Sequence, residues 1–128
     1  MFTANQFVAH LVGDYLLQSD WMARHKHKRL DAVLLHVLFY TLPFVLITQE
    51  PVALALIAGS HLLIDRFGLA RYVAWLKNRP WPESRPWREC QETGFPPEMP
   101  QWRSSWLVVI IDNILHILCN GLAIYYFG

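Results

Sequence analysis

Apolar residues along the chain fall into four long blocks, and the polar residues between them collect in two broad stretches and one tight turn. The blocks cover 2–22, 32–48, 52–69 and 106–127. Each approaches the roughly 17 to 25 residues a helix needs to cross a hydrocarbon core of about 30 Å. The pattern therefore predicts an all-α protein, a bundle of four transmembrane helices. Pro51 suits the first turn of the third helix, and Gln49-Glu50 leaves only a short turn before it, so helices two and three should form an antiparallel hairpin. Pro43 is expected to kink the second helix. An amphipathic continuation over 70–77 would lie along the interface, with Tyr72 and Trp75 at headgroup level. From 78 to 104 the apolar pattern stops. Pro80, Pro82, Pro86, Pro96, Pro97 and Pro100 alternate with Trp81, Trp87 and Trp102, which reads as a Pro/Trp-rich loop between helices three and four.

Composition strengthens the membrane reading. Apolar residues make up 54% of the 128-residue chain and charged residues 16%, below the roughly one quarter found in ordinary globular domains. A single integral membrane domain over 1–128 is the expectation. Net charge is +1, and this total says nothing of a polyanionic partner; no nucleic-acid partner is expected. Cys90 and Cys119 lie in a polar and an apolar stretch and should not pair. No cleavable signal is expected, because His10 and Asp14 interrupt the first apolar run. All 11 Lys and Arg residues sit either at 24–29 or from 66 to 103. In a four-helix topology both stretches lie on one side, which the positive-inside rule makes cytoplasmic, with both termini outside.

Three of the five aspartates stand four residues from a histidine inside an apolar block: His10 with Asp14, His61 with Asp65, and Asp112 with His116. Such spacing places an imidazole and a carboxylate on one helix face. In the expected topology each Asp lies nearer the cytoplasm than its His. At about 1.5 Å per residue the three pairs share one layer, which His36 of the second helix would join. Ionisable groups at that depth cost several kcal/mol unless they pair or ligate something. A lone pair is as well explained by a hydrogen bond between helices, but three oriented pairs favour a site. The expected ligand set is His10, Asp14, His36, His61, Asp65, Asp112 and His116. Imidazole with carboxylate suits zinc first, and manganese or iron with water in the shell. Gln18 and Asn120, each one turn further along a pair's face, would orient ligands or bridge helices. Ala9 with Gly13, and Ala55 with Gly59, repeat small residues at a spacing that allows close helix approach. In the run RHKHKR at 24–29 a solvated basic turn is the better reading.

The segments HLVGDYLLQ at 10–18, HLLID at 61–65 and DNILH at 112–116 resemble the three signatures of a family of small phage and bacterial membrane proteins catalogued as domain of unknown function 3307. Its members read approximately HxxGDFxLQ, HxxID and DQxxH; Asn113 stands where Gln is commoner. The resemblance implies a bacterial inner membrane location and marks His10, Gly13, Asp14, Gln18, His61, Asp65, Asp112 and His116. Its motif style is similar to that of membrane-bound metal-dependent hydrolases, an analogy only. The leading expectation is thus a metal-dependent hydrolase acting on a lipid-linked or membrane-proximal ester or phosphoester. Asp14, Asp65 or Asp112 would serve as its general base. The alternative is a non-enzymatic phage or prophage membrane factor with a structural metal, binding a host membrane protein. Membrane lipids are partners in either case, and self-association is compatible with both.

Overall fold

The structure, a computed structural model, describes residues 1–128. It is all α-helical, in the order α1 (Ala4–Leu11), a π-helical segment (Val12–Leu16), α2 (Asp20–His25), α3 (Leu30–Val45), α4 (Pro51–Phe67), α5 (Leu69–Asn78), α6 (Trp87–Cys90) and α7 (Gln101–Phe127). The chain divides into two compact units, one of Met1–Phe67 with His116–Gly128, the other of Gly68–Leu115.

The four-helix transmembrane bundle expected from the apolar blocks is not the fold. Only α7 is long and apolar enough to cross a membrane; α4 and α5 reach that measure only when counted together across a break. Helix length is the reason. At about 1.5 Å per residue, α1 extends roughly 12 Å, α3 roughly 24 Å and α4 roughly 26 Å, short of a core of about 30 Å, whereas α7 extends roughly 40 Å. The placing of termini and basic loops on opposite sides rested on four crossings and loses its basis with them.

Local chemistry shows where the blocks break. Thr3 caps α1 by accepting from the Gln6 N–H at 3.3 Å, but past Leu11 the bonding widens, with the Leu17 N–H reaching the Val12 carbonyl at 2.9 Å. A second cap stands close behind. Ser19 Oγ accepts from the Met22 N–H at 3.2 Å and starts α2. Gln18, between the two, donates through Nε2 to the Asp14 carbonyl at 3.1 Å. Polar side chains at 18 and 19 thus take over bonds that a continuous helix would make with backbone. The third block ends at Gly68, whose φ of +59° is the left-handed conformation that glycine adopts without penalty.

In the first unit α3 and α4 pack as the expected hairpin. Their core holds Tyr40, Phe44 and Ile57 with Ala9 and Ala123. Burying each large side chain contributes about 1.5–3 kcal/mol. The π-helical segment lies close against α3 at Gly13, where a Cβ would stand 2.6 Å from the Tyr40 ring and 3.0 Å from its Cα. Gly59, by contrast, has nothing within 4 Å of a Cβ position. Of the two small-residue spacings, only Ala9–Gly13 marks a close approach.

The second unit has the helix expected at 70–77, as α5, but the stretch from 78 to 104, read as a loop, carries the short helix α6. Trp87 of α6 stacks on Tyr72 with centroids 4.4 Å apart and meets Trp75 edge-on at 5.7 Å. α7 begins at Gln101, earlier than hydropathy indicates, because Pro100 opens its first turn and accepts from the Ser104 N–H at 3.1 Å. Both cysteines are free.

Candidate metal centre

Four side chains from three parts of the first unit converge at one point. Asp14 comes from the π-helical segment, His36 from α3, and His61 and Asp65 from successive turns of α4. Their side chains are at most 8% exposed. The His36 Nε2 lies 3.1 Å from Asp14 Oδ1 and 3.0 Å from Asp65 Oδ2. The His61 Nε2 lies 3.5 Å from Asp14 Oδ1 and 3.1 Å from Asp65 Oδ2. The two Nε2 atoms are themselves 2.8 Å apart, so only one of them can carry a proton between the rings. Four donor atoms of four residues, all buried, lie within 4.8 Å of one another, and this group could hold a metal ion.

The π-helical segment explains how Asp14 arrives. Widening the helix by one residue rotates the next turn about the axis, and such segments recur at functional sites. Gly13 lets the backbone come in against Tyr40, and the neighbouring carboxylate is carried in with it. Gln18 then holds the Asp14 carbonyl, which fixes the turn from its far side. The glycine, aspartate and glutamine of HLVGDYLLQ therefore act as one local device.

Around the four donors stands a ring of supporting groups. His116 Nε2 is 3.3 Å from the other oxygen of Asp65, Oδ1. The His61 ring stacks between Tyr40 at 3.6 Å and His116 at 4.1 Å, centroid to centroid. The Tyr40 hydroxyl accepts from Asn120 Nδ2 at 2.6 Å and meets His10 Nδ1 at 2.9 Å. His10 Nδ1 is 3.6 Å from Asp14 Oδ2. His10, Tyr40, His116 and Asn120 thus hold the four donors from behind. Nδ1 of His36 and of His61 has no hydrogen-bond partner, although metal-ligating imidazoles usually donate through the second nitrogen.

One cation enters this cluster. Lys26, at the end of α2, places Nζ 2.9 Å from Asp65 Oδ2 with its side chain 14% exposed. Arg66 donates to the His27 carbonyl and pins the same turn to α4. The run at 24–29 is thus only partly the solvated turn expected from sequence. Its Arg29 faces Asp31 across 2.7 Å in the open, and that guanidinium holds the Asp31 carboxyl down at about 2.

Of the seven expected ligands, the structure brings Asp14, His36, His61 and Asp65 together, with His116 against Asp65 and His10 against Asp14. Asp112 is half-buried on α7, one turn before His116, and belongs to the second compact unit. Asn113 bonds the Val109 carbonyl of its own helix at 2.8 Å. Sequence reasoning missed Tyr40 and Lys26. Tyr40 stands four residues after His36, on the same face of α3, so spacing could have found it. Nothing in RHKHKR distinguishes Lys26 from its neighbours.

A family model described as protein of unknown function (DUF3307) matches residues 2–127. No curated protein and no solved structure matches the chain. The chain belongs to the DUF3307 family, and the match spans both compact units.

Proposed function

We propose that this protein is a zinc-dependent hydrolase held at a membrane by α7, with Asp14, His36, His61 and Asp65 as the metal ligands. One observation carries the metal assignment. Zinc bonds of about 2.0–2.1 Å set neighbouring donors of a tetrahedron about 3.3–3.4 Å apart. The separations of 2.8, 3.0, 3.1, 3.1 and 3.5 Å bracket that value, four of them a few tenths of an ångström below it, so a small outward shift of the side chains would seat the ion. Two carboxylates and two imidazoles also suit manganese or iron, but a four-donor set of this size favours zinc.

The hydrolytic part of the reading rests on the groups beyond the four. Lys26 and His116 both reach the Asp65 carboxylate, and both can move a proton. The ion would supply Lewis acidity and lower the pKa of a water once one of the four side chains yields its place to that water. His116 takes the water proton as the water oxygen bonds to the phosphorus or carbonyl carbon. The bond to the leaving oxygen breaks, and that oxygen takes a proton from Lys26. A membrane-proximal ester or phosphoester is the proposed substrate class, since α7 is long and apolar enough to cross a membrane and so to anchor the chain there.

A second reading is a metal that staples a non-enzymatic membrane factor. Its support is the burial of four donors drawn from three segments, as in closed structural sites. Metal content of the detergent-purified chain tests both readings, measured beside Asp65→Ala and assayed on a panel of phosphoesters and carboxylic esters. Hydrolysis that needs the ion, and that Lys26→Met lowers while the ion stays bound, is expected for the enzyme. Bound metal with no turnover favours the staple. A parent chain without metal overturns both.

A further inference from the structure

The second compact unit, Gly68–Leu115, contains a cavity of about 290 Å³ whose lining residues all belong to that unit. Its size is at the lower end for a small-molecule site. We propose that this cavity binds the phosphate-bearing headgroup of an anionic phospholipid.

Charge is the first argument. Lys77, Arg85 and Arg103 line the cavity with one carboxylate, Glu83; Arg85 is already paired with Glu89 and Glu98, which leaves Lys77 and Arg103 as the cations that face Glu83. Cys90 also lines it, but burial pushes its thiol up, so that wall stays neutral. An anion entering the space meets a net positive lining.

Shape and fixation are the second. Trp75, Trp81 and Phe95 give the cavity broad apolar faces, the chemistry that suits the glycerol and upper acyl portion of a lipid. The walls are tied together. Trp75 Nε1 donates to the Arg85 carbonyl at 2.9 Å, the Arg85 guanidinium pairs with Glu89 and Glu98, and the Lys77 ammonium lies 5.2 Å from the Phe95 ring centroid. Arg103 is exposed.

Position on α7 is the third. Arg103 and Leu107, both lining residues, stand in the first two turns of α7, the helix long and apolar enough to cross a membrane. Trp102 and Trp106 flank Arg103 on a single face and are 69% and 66% exposed; Trp81, at the cavity, is 68% exposed. Exposed tryptophans at the end of an apolar helix mark headgroup level. The cavity therefore opens where phospholipid headgroups lie when α7 is in a bilayer.

The test uses the full chain in a neutral detergent, followed by tryptophan fluorescence. It is titrated separately with dioctanoyl phosphatidylglycerol, dioctanoyl phosphatidylcholine and inorganic phosphate. Each cation near an anionic headgroup is worth roughly fivefold in affinity, so Lys77→Gln with Arg103→Gln should weaken phosphatidylglycerol binding about 25-fold. Phosphatidylcholine binding should change little. Lys77→Arg with Arg103→Lys should keep the preference, which separates lost charge from lost folding, and Arg103→Gln alone should give about a fivefold loss. Undiminished phosphatidylglycerol binding by the Gln pair overturns the proposal, as does equal binding of the two lipids by the parent. Inorganic phosphate binding as tightly as phosphatidylglycerol would assign the cavity to a free anion instead. Because the lining holds none of the four donors, these outcomes are independent of whether the chain binds a metal.

Discussion

The stretch from Val12 to Ser19 leaves regular helix within one turn of Asp14, whereas α7 runs uninterrupted from Gln101 to Phe127. Both contribute to the same cluster, Asp14 from the first and His116 from the second. They contribute differently. The broken stretch gives up regular backbone bonding and places a donor among the four, while the continuous helix supplies supporting groups: His116 against the donor Asp65, and Asn120 on Tyr40, itself a support. Irregular backbone brings in Asp14 alone, while His36, His61 and Asp65 reach the cluster from regular turns of α3 and α4.

That contrast breaks most easily at its two ends. Asp14→Ala should reduce bound metal from about one ion per chain towards none, measured by elemental analysis of the purified protein. His116→Ala should keep the ion but bind it about 10- to 100-fold more weakly in a chelator competition. Equal losses would mean that α7 supplies a ligand and not a support. Gly13→Ala comes next. Its methyl group meets the Tyr40 ring and backbone, and overpacking of this kind costs about 1–3 kcal/mol, which thermal unfolding in detergent would register together with loss of metal. Asn120→Ala removes the donor to the buried Tyr40 hydroxyl and should cost about 1 kcal/mol by the same measurement. The smallest effect is expected on the outer face of α7, where Leu118 is exposed; Leu118→Ala should shift stability by less than about 0.5 kcal/mol.

The all-α class was legible, though not the helix in the stretch from 78 to 104, and the pairs His10/Asp14 and His61/Asp65 were legible because four-residue spacing is a property of the helix itself. What hydropathy could not see is where a helix stops. Averaging over 2–22 conceals the capping chemistry of Gln18 and Ser19, and averaging over 52–69 carries through Gly68, whose left-handed backbone is invisible to any apolar scale. Pro100 had the reverse effect, extending α7 upstream of the tryptophan at which apolar character begins. Tyr40 was hidden because an aromatic residue in an apolar block reads as core, which it also is. Lys26 was hidden because its role depends on a contact 39 residues away in sequence.

All four donors of the cluster lie within the first 65 positions, and His116 and Asn120 stand 51 and 55 residues beyond Asp65. Chains are made from the amino terminus, and N-terminal parts fold first during synthesis. The order of synthesis therefore allows vectorial assembly: the four donor side chains can come together while α7 is still inside the ribosome. A chain stalled near residue 100 and released into detergent should already capture zinc, with the weaker affinity of His116→Ala. If it captures none, the carboxyl-terminal helix is needed to build the centre and not merely to close it.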